Sequence, residues 1–158
     1  MSMTTETTLD LDIKHRLLDE CLRQQTDFVD NARQAMEEAQ TSANESQGAI
    51  EDKFESFREA CQIQRDMFAK QLDEAIGKLG ILKRIVRNKV NEDISLGSIV
   101  KTDAQNYFIS VSLGEISLDG EKYYAISAAS PVFQAMAGKT KGETFIFRDK
   151  KIKIVDLC

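Results

Sequence analysis

The sequence predicts an α+β protein: an antiparallel helical hairpin over residues 1–88, then a small β-rich domain with one short helix over residues 89–158. Two observations predict it. Through the first part apolar residues recur in alternating steps of four and three, the seam of a coiled coil. After residue 88 that recurrence gives way to short strand-like runs separated by turn sequences. Proline placement agrees, because the single proline, Pro131, lies in the second part and leaves both long helices uninterrupted.

The first helix follows the seam Leu11, His15, Leu18, Leu22, Gln25, Val29, Ala32, Met36, Ala39 and Ala43. The second follows Ile50, Phe54, Phe57, Cys61, Gln64, Phe68, Leu72, Ala75, Leu79, Leu82 and Val86, with charged residues filling the outward positions. Seam glutamines Gln25 and Gln64, and Gln71 beside them, are expected to fix the register. Gly77 and Gly80 each weaken the second helix by roughly 1 kcal/mol relative to alanine, so a bend or fraying is expected there. Asn44-Glu45-Ser46-Gln47-Gly48 supplies turn residues for a tight reversal. A reversal near Gln47 would set Cys21 across from about residue 72 and Cys61 across from about residue 32, an expectation that keeps the two thiols apart.

Charge is unevenly placed. Residues 1–88 carry 17 acids and 12 bases, residues 89–158 carry nine of each, and the net charge of −5 therefore belongs to the hairpin. Its tip, near residues 44–56, is sharper still: Glu37, Glu38, Glu45, Glu51, Asp52, Glu55 and Glu59 stand against Lys53 and Arg58 between residues 37 and 59. So negative a tip is unsuited to a general nucleic-acid clamp, which needs cations for phosphate. On a helix Glu51 and Glu55, or Asp52 and Glu55, share a face. Three readings of these acids stand. They are a solvated helix start favoured by the macrodipole, they meet a basic protein surface, or one pair, Asp52 and Glu55 or Glu51 and Glu55, holds a Mg²⁺ weakly, leaving positions for water and a substrate phosphate.

In the second part the expected strands are residues 98–100, 106–113, 122–126, 144–147 and 151–155. Leu118-Asp119-Gly120-Glu121 and Arg148-Asp149-Lys150 read as hairpin turns. Ser130 as N-cap, Pro131 at the first helical position and Gly138 past the end frame a short helix. This part holds no histidine and one cysteine, Cys158, so a nucleophile triad confined to it is excluded.

No apolar run reaches the 18 or so residues of a membrane span, and residues 1–8 lack a signal-peptide pattern, so a cytoplasmic location without membrane attachment is expected. Three widely spaced cysteines read as buried thiols. His15, the sole histidine, is expected as a core-edge residue rather than a metal ligand.

Ser130-Pro131-Val132-Phe133-Gln134-Ala135-Met136-Ala137-Gly138-Lys139-Thr140-Lys141-Gly142-Glu143 resembles the C-terminal signature of the bacterial Gre transcript-cleavage factors. There, Ser-Pro, a short apolar helix, Gly-Lys and a glycine-acid pair recur before two closing strands. The order of parts is similar too. The resemblance implies an FKBP-like C-terminal domain that docks on bacterial RNA polymerase, here through Ser130, Pro131, Phe133, Gly138 and Lys139. It also implies that the hairpin tip enters the secondary channel, where tip carboxylates help the polymerase hold Mg²⁺ and cut the 3′ end of backtracked RNA. Contact with nascent RNA is then indirect, no cofactor is bound tightly, and the chain is no enzyme by itself.

Against the family's tip pattern, Gly-Asp-Leu-x-Glu-Asn-Ala-Glu-Tyr, this chain reads Gly48-Ala49-Ile50-Glu51-Asp52-Lys53-Phe54-Glu55-Ser56. The family's first acid falls on Ala49. Asp52 is then the expected catalytic carboxylate, with Glu51 or Glu55 assisting. Polymerase binding without cleavage, as a competitor or modulator in the channel, is the alternative that Ala49 favours. A reading from another class is a coiled-coil interaction protein or holdase unrelated to polymerase. The tight Asn44–Gly48 break favours an intramolecular hairpin, and hence a monomer when free.

Overall fold

A computed structural model of the protein describes residues 9–45 and 51–158, with backbone alone for residues 45 and 51–54. The elements in order are helices α1 (Leu11–Glu45) and α2 (Glu51–Arg84), strands β1 (Ile99–Thr102), β2 (Asn106–Ser110), β3 (Gly114–Leu118) and β4 (Glu121–Ser127), helix α3 (Pro131–Met136), and strands β5 (Thr144–Phe147) and β6 (Lys150–Leu157). The chain forms two compact units. One joins Met1–Leu22 to Ile81–Cys158, and the other is Arg23–Gly80.

Within Arg23–Gly80 the two helices pack antiparallel. Val29, Leu72 and Ala75 form the buried seam, with Ala32, Met36 and Leu79 against it. Gln25 is buried there, and its Nε2 donates to the Ala75 carbonyl at 3.0 Å, the register-fixing role expected of it. Gln64 and Gln71, by contrast, are exposed, as is Phe57 at 51%. The reason is local phase: beyond Cys61 the covered positions run through Arg65, Phe68 and Leu72, which rotates Gln64 outward. Pairing of Gln25 with Ala75 also shifts the expected register by several residues, so Cys21 is not opposite residue 72. It lies instead in a core with Leu82. All three cysteines are free and buried. Helix α2 runs unbroken through Gly77 and Gly80.

In the other unit the hairpin root covers one face of the sheet. Leu9, Ile13, Leu17, Leu18, Cys21, Leu82 and Ile85 meet Phe108, Val111, Ile116, Tyr123 and Ala125. This second partner explains why burial spreads beyond the coiled-coil seam to Ile13 and Leu17, and why Ile85 is buried while Val86 stays 61% exposed. Asp10 caps α1 by accepting from the Ile13 N–H at 2.9 Å. His15 sits at the edge, as read from its seam position. Its Nε2 lies 3.0 Å from both the Arg87 carbonyl and Asn88 Oδ1, two acceptors, so that nitrogen carries the proton. Lys14 is fully buried and donates to the Lys89 carbonyl at 2.6 Å; burial pushes its pKa below the ordinary lysine value.

The six-stranded mixed sheet has the order β3-β4-β2-β1-β6-β5, with β2 and β4 parallel and the other neighbours antiparallel. Its second face carries Val100, Tyr107, Ile109, Phe145, Ile152 and Ile154 against Val132 and Met136 of α3. Strand β2 alternates between the two cores, Phe108 in one and Tyr107 and Ile109 in the other, which is why it reads as a continuous apolar run. The stretch expected as one strand over 106–113 ends at Ser110, and Gly114–Leu118 forms a separate edge strand on β4. Both expected hairpin turns form: Asp119 has φ 52°, and Arg148 and Asp149 have φ 52° and 64°. Among the described residues no helix is long and apolar enough to cross a membrane.

Candidate functional site

Two regions carry the expected site residues. Glu51 and Asp52 lie in the first turn of α2, described there by backbone only; Gly48, Ala49 and Ile50 lie outside the described residues. Helical spacing puts Glu55 one turn beyond both acids. Its side chain is exposed, on a shallow groove along α2 lined by Arg58, Glu59, Gln62, Ile63 and Asp66. Arg65, seven residues beyond Arg58 on the same helix, is engaged by Asp66 at 3.2 Å.

Carboxylate oxygens are the ligand type Mg²⁺ takes, with six positions to fill. Among the described residues no group of three or more potential ligands could hold a metal ion.

The second region is built as its sequence implies. Ser130 is extended (φ −69°, ψ 145°) and caps α3, its Oγ accepting from the Phe133 N–H at 3.3 Å and its hydroxyl donating to the Ser127 carbonyl at 2.8 Å. Pro131 occupies the first turn, where its missing N–H costs nothing, and its ring is exposed. Phe133 is half-buried against the α3 core. Gly138 takes φ 76°, and its N–H donates to the Ile94 carbonyl at 2.9 Å. The Lys139 carbonyl accepts from Ile94 N–H at 2.8 Å, and Thr140 Oγ1 donates to the Glu92 carbonyl at 2.7 Å. Glu143 closes the loop by accepting from the Thr140 N–H at 3.0 Å. Ser130 and Gly138 thus have structural work, while Pro131 and Gln134 face solvent.

The balance of nine acids and nine bases over residues 89–158 hides a local excess: residues 139–153 hold six cations, Lys139, Lys141, Arg148, Lys150, Lys151 and Lys153, against Glu143 and Asp149. Counting by element rather than by half-chain would have found it.

Neither a protein-family model nor a curated protein matches the chain. Among solved structures it is similar to that of the transcription factor Gfh1, at 20% identity over 86% of this chain and 92% of that one, with a TM-score of 0.35. It is likewise similar to the crystal structure of GreA factor homolog 1 of Thermus thermophilus, at 19% identity over 87% and 94% of the two chains, TM-score 0.35. A TM-score that low is too weak for either structure to bear on the arrangement or action of this chain.

Proposed function

We infer that this protein is a Gre-like regulator of transcription elongation. It docks on bacterial RNA polymerase through the sheet domain, with Pro131, Phe133 and Lys139 near the contact and Ser130 and Gly138 shaping it. The tip of the helical hairpin reaches the secondary channel. The observation that carries this reading is the Ser130–Glu143 signature, whose cap, proline turn, left-handed glycine and two closing strands occur in the order the resemblance requires. An acid-rich tip on two helices of 35 and 34 residues supports the same reading.

In this function the chain supplies position and charge, and the polymerase supplies the cut. Asp52, assisted by Glu51 or Glu55, would lend carboxylate oxygens to Mg²⁺ at the polymerase active site, where the ion activates water for RNA hydrolysis. A cytoplasmic location and a monomeric free state accompany the reading. Ala49 in place of the family's acid favours a second form of it, in which the protein occupies the channel without stimulating cleavage.

The test uses a backtracked bacterial elongation complex with labelled RNA, Mg²⁺, and either wild type or Asp52→Ala. Faster release of short 3′ fragments by wild type supports cleavage stimulation. Absence of release, with inhibition of an added cleavage factor, supports the non-cleaving form. A protein that does neither is not a polymerase regulator of this kind.

A further inference from the structure

The sheet order ends on β5, whose strand partner among the described residues is β6 alone. Across the two-residue Arg148-Asp149 turn the register sets Phe147 against Lys150, then Ile146 against Lys151, Phe145 against Ile152 and Thr144 against Lys153. In such a hairpin the residues flanking the turn exchange both hydrogen bonds, and every second pair repeats the exchange. Phe147 and Phe145 therefore spend their backbone groups on β6. Thr144 and Ile146 turn theirs the other way, toward the open side.

Side chains alternate on the same strand. Phe145 is 3% exposed in the core beneath α3, whereas Ile146 is 71% exposed on the opposite face. Lys151 lies directly across from Ile146 and Lys153 across from Thr144, both exposed on that outer face. Arg148 and Lys150 add charge at the turn. An unpaired edge with an uncovered isoleucine is a strand-pairing template unless something manages or uses it. The opposite edge differs: on β3 the Glu115 carboxylate is paired with Lys122 at 3.2 Å.

We propose that the free edge of β5 is a docking site for an extended acidic peptide segment of a partner protein, added to the sheet as a further strand. Backbone groups of the segment pair with Thr144 and Ile146, and acidic side chains on the outer face meet Lys151 and Lys153. The added strand lies two strand spacings from β6, about 10 Å, a gap that a lysine and a glutamate span together across Ile146. Charge sets the sign of the partner and the strand edge sets its class. A nucleic acid would satisfy the cations, but its backbone lacks amide donors for the outward carbonyls of Thr144 and Ile146. No open aromatic platform compensates, since Phe147 is half-buried with the Arg148 guanidinium 5.0 Å from its ring centre. This surface is independent of the polymerase reading.

The test measures binding of a fluorescent eight-residue peptide of alternating glutamate and valine to the full chain by anisotropy, beside an oligothymidylate of similar charge. Ile146→Pro removes one outward N–H without touching the β6 ladder, and Lys151→Glu with Lys153→Glu reverses the charge. Each is expected to weaken peptide binding at least tenfold with an unchanged circular dichroism spectrum. On peptide binding, amide exchange should slow at Thr144 and Ile146 and stay as it was at Phe145 and Phe147. Should Ile146→Pro misfold, a peptide N-methylated on alternate amides gives the same loss with wild-type protein. Peptide binding that survives Ile146→Pro or N-methylation, unslowed exchange at Thr144 and Ile146, or equal affinity for the oligothymidylate would overturn the proposal.

Discussion

Replacing Gly77 and Gly80 with alanine isolates what the backbone of α2 contributes. Both lie inside a helix that runs from Glu51 to Arg84, and a Cβ added at either meets no atom within 4 Å. The substitution therefore adds no clash. It removes the extra freedom of glycine in the unfolded chain, worth about 0.8–1 kcal/mol per site in a helix interior. The pair should gain about 1.5–2 kcal/mol. For a chain of this size that raises Tm by roughly 3–8 °C if it unfolds as one, and about twice as much if Arg23–Gly80 melts alone. Thermal unfolding followed at 222 nm reads the helices directly. Gly120→Ala is the control, because Gly120 also has open space around it but a φ of 82°. The same chemical change there should lower Tm. An unchanged or lowered Tm in the Gly77→Ala/Gly80→Ala variant would show instead that the helix needs glycine at these positions.

Further outcomes follow from the buried groups. Lys14 has its pKa lowered from 10.5 chiefly by burial, so between its folded and unfolded values the unfolded chain binds the extra proton. Wild-type stability relative to Lys14→Met should then rise as pH approaches 10.5 from below, and a denaturant series from pH 8 to 10.5 showing no such rise would count against it. Cys21 is pushed up to about 12 by burial, which leaves little thiolate at pH 8. Native alkylation followed by mass spectrometry should find it far slower than a thiol in a short peptide; comparable rates would mean that the root core opens readily. Phe108 is fully buried between the sheet and the hairpin root, and Phe108→Ala should cost about 3–5 kcal/mol, a large share of a domain's stability. A melting curve close to wild type would show that this contact is not central.

Much of the fold was legible because single residues carried single duties. Ser130, Pro131 and Gly138 framed α3, and Asp119-Gly120 and Arg148-Asp149 marked turns that form where expected. Strand β3 was missed because Gly-Glu-Ile-Ser-Leu buries only Ile116, too weak an alternation to separate from β2 without its partner β4. Gln64 and Val86 misled because seam counting assumes one partner and a constant phase, whereas the phase of α2 slips after Cys61 and the root meets the sheet as well. In the candidate site the type of residue was readable at the tip, and its role was not: a carboxylate that steers an ion and one that caps a helix start have the same sequence.

A role in the secondary channel requires binding to bacterial RNA polymerase. Fluorescently labelled protein, titrated with core polymerase, is predicted to give saturable binding that an unlabelled Gre cleavage factor displaces and that Pro131→Asp weakens without lowering Tm. No binding, or binding indifferent to the competitor, would contradict the secondary-channel account.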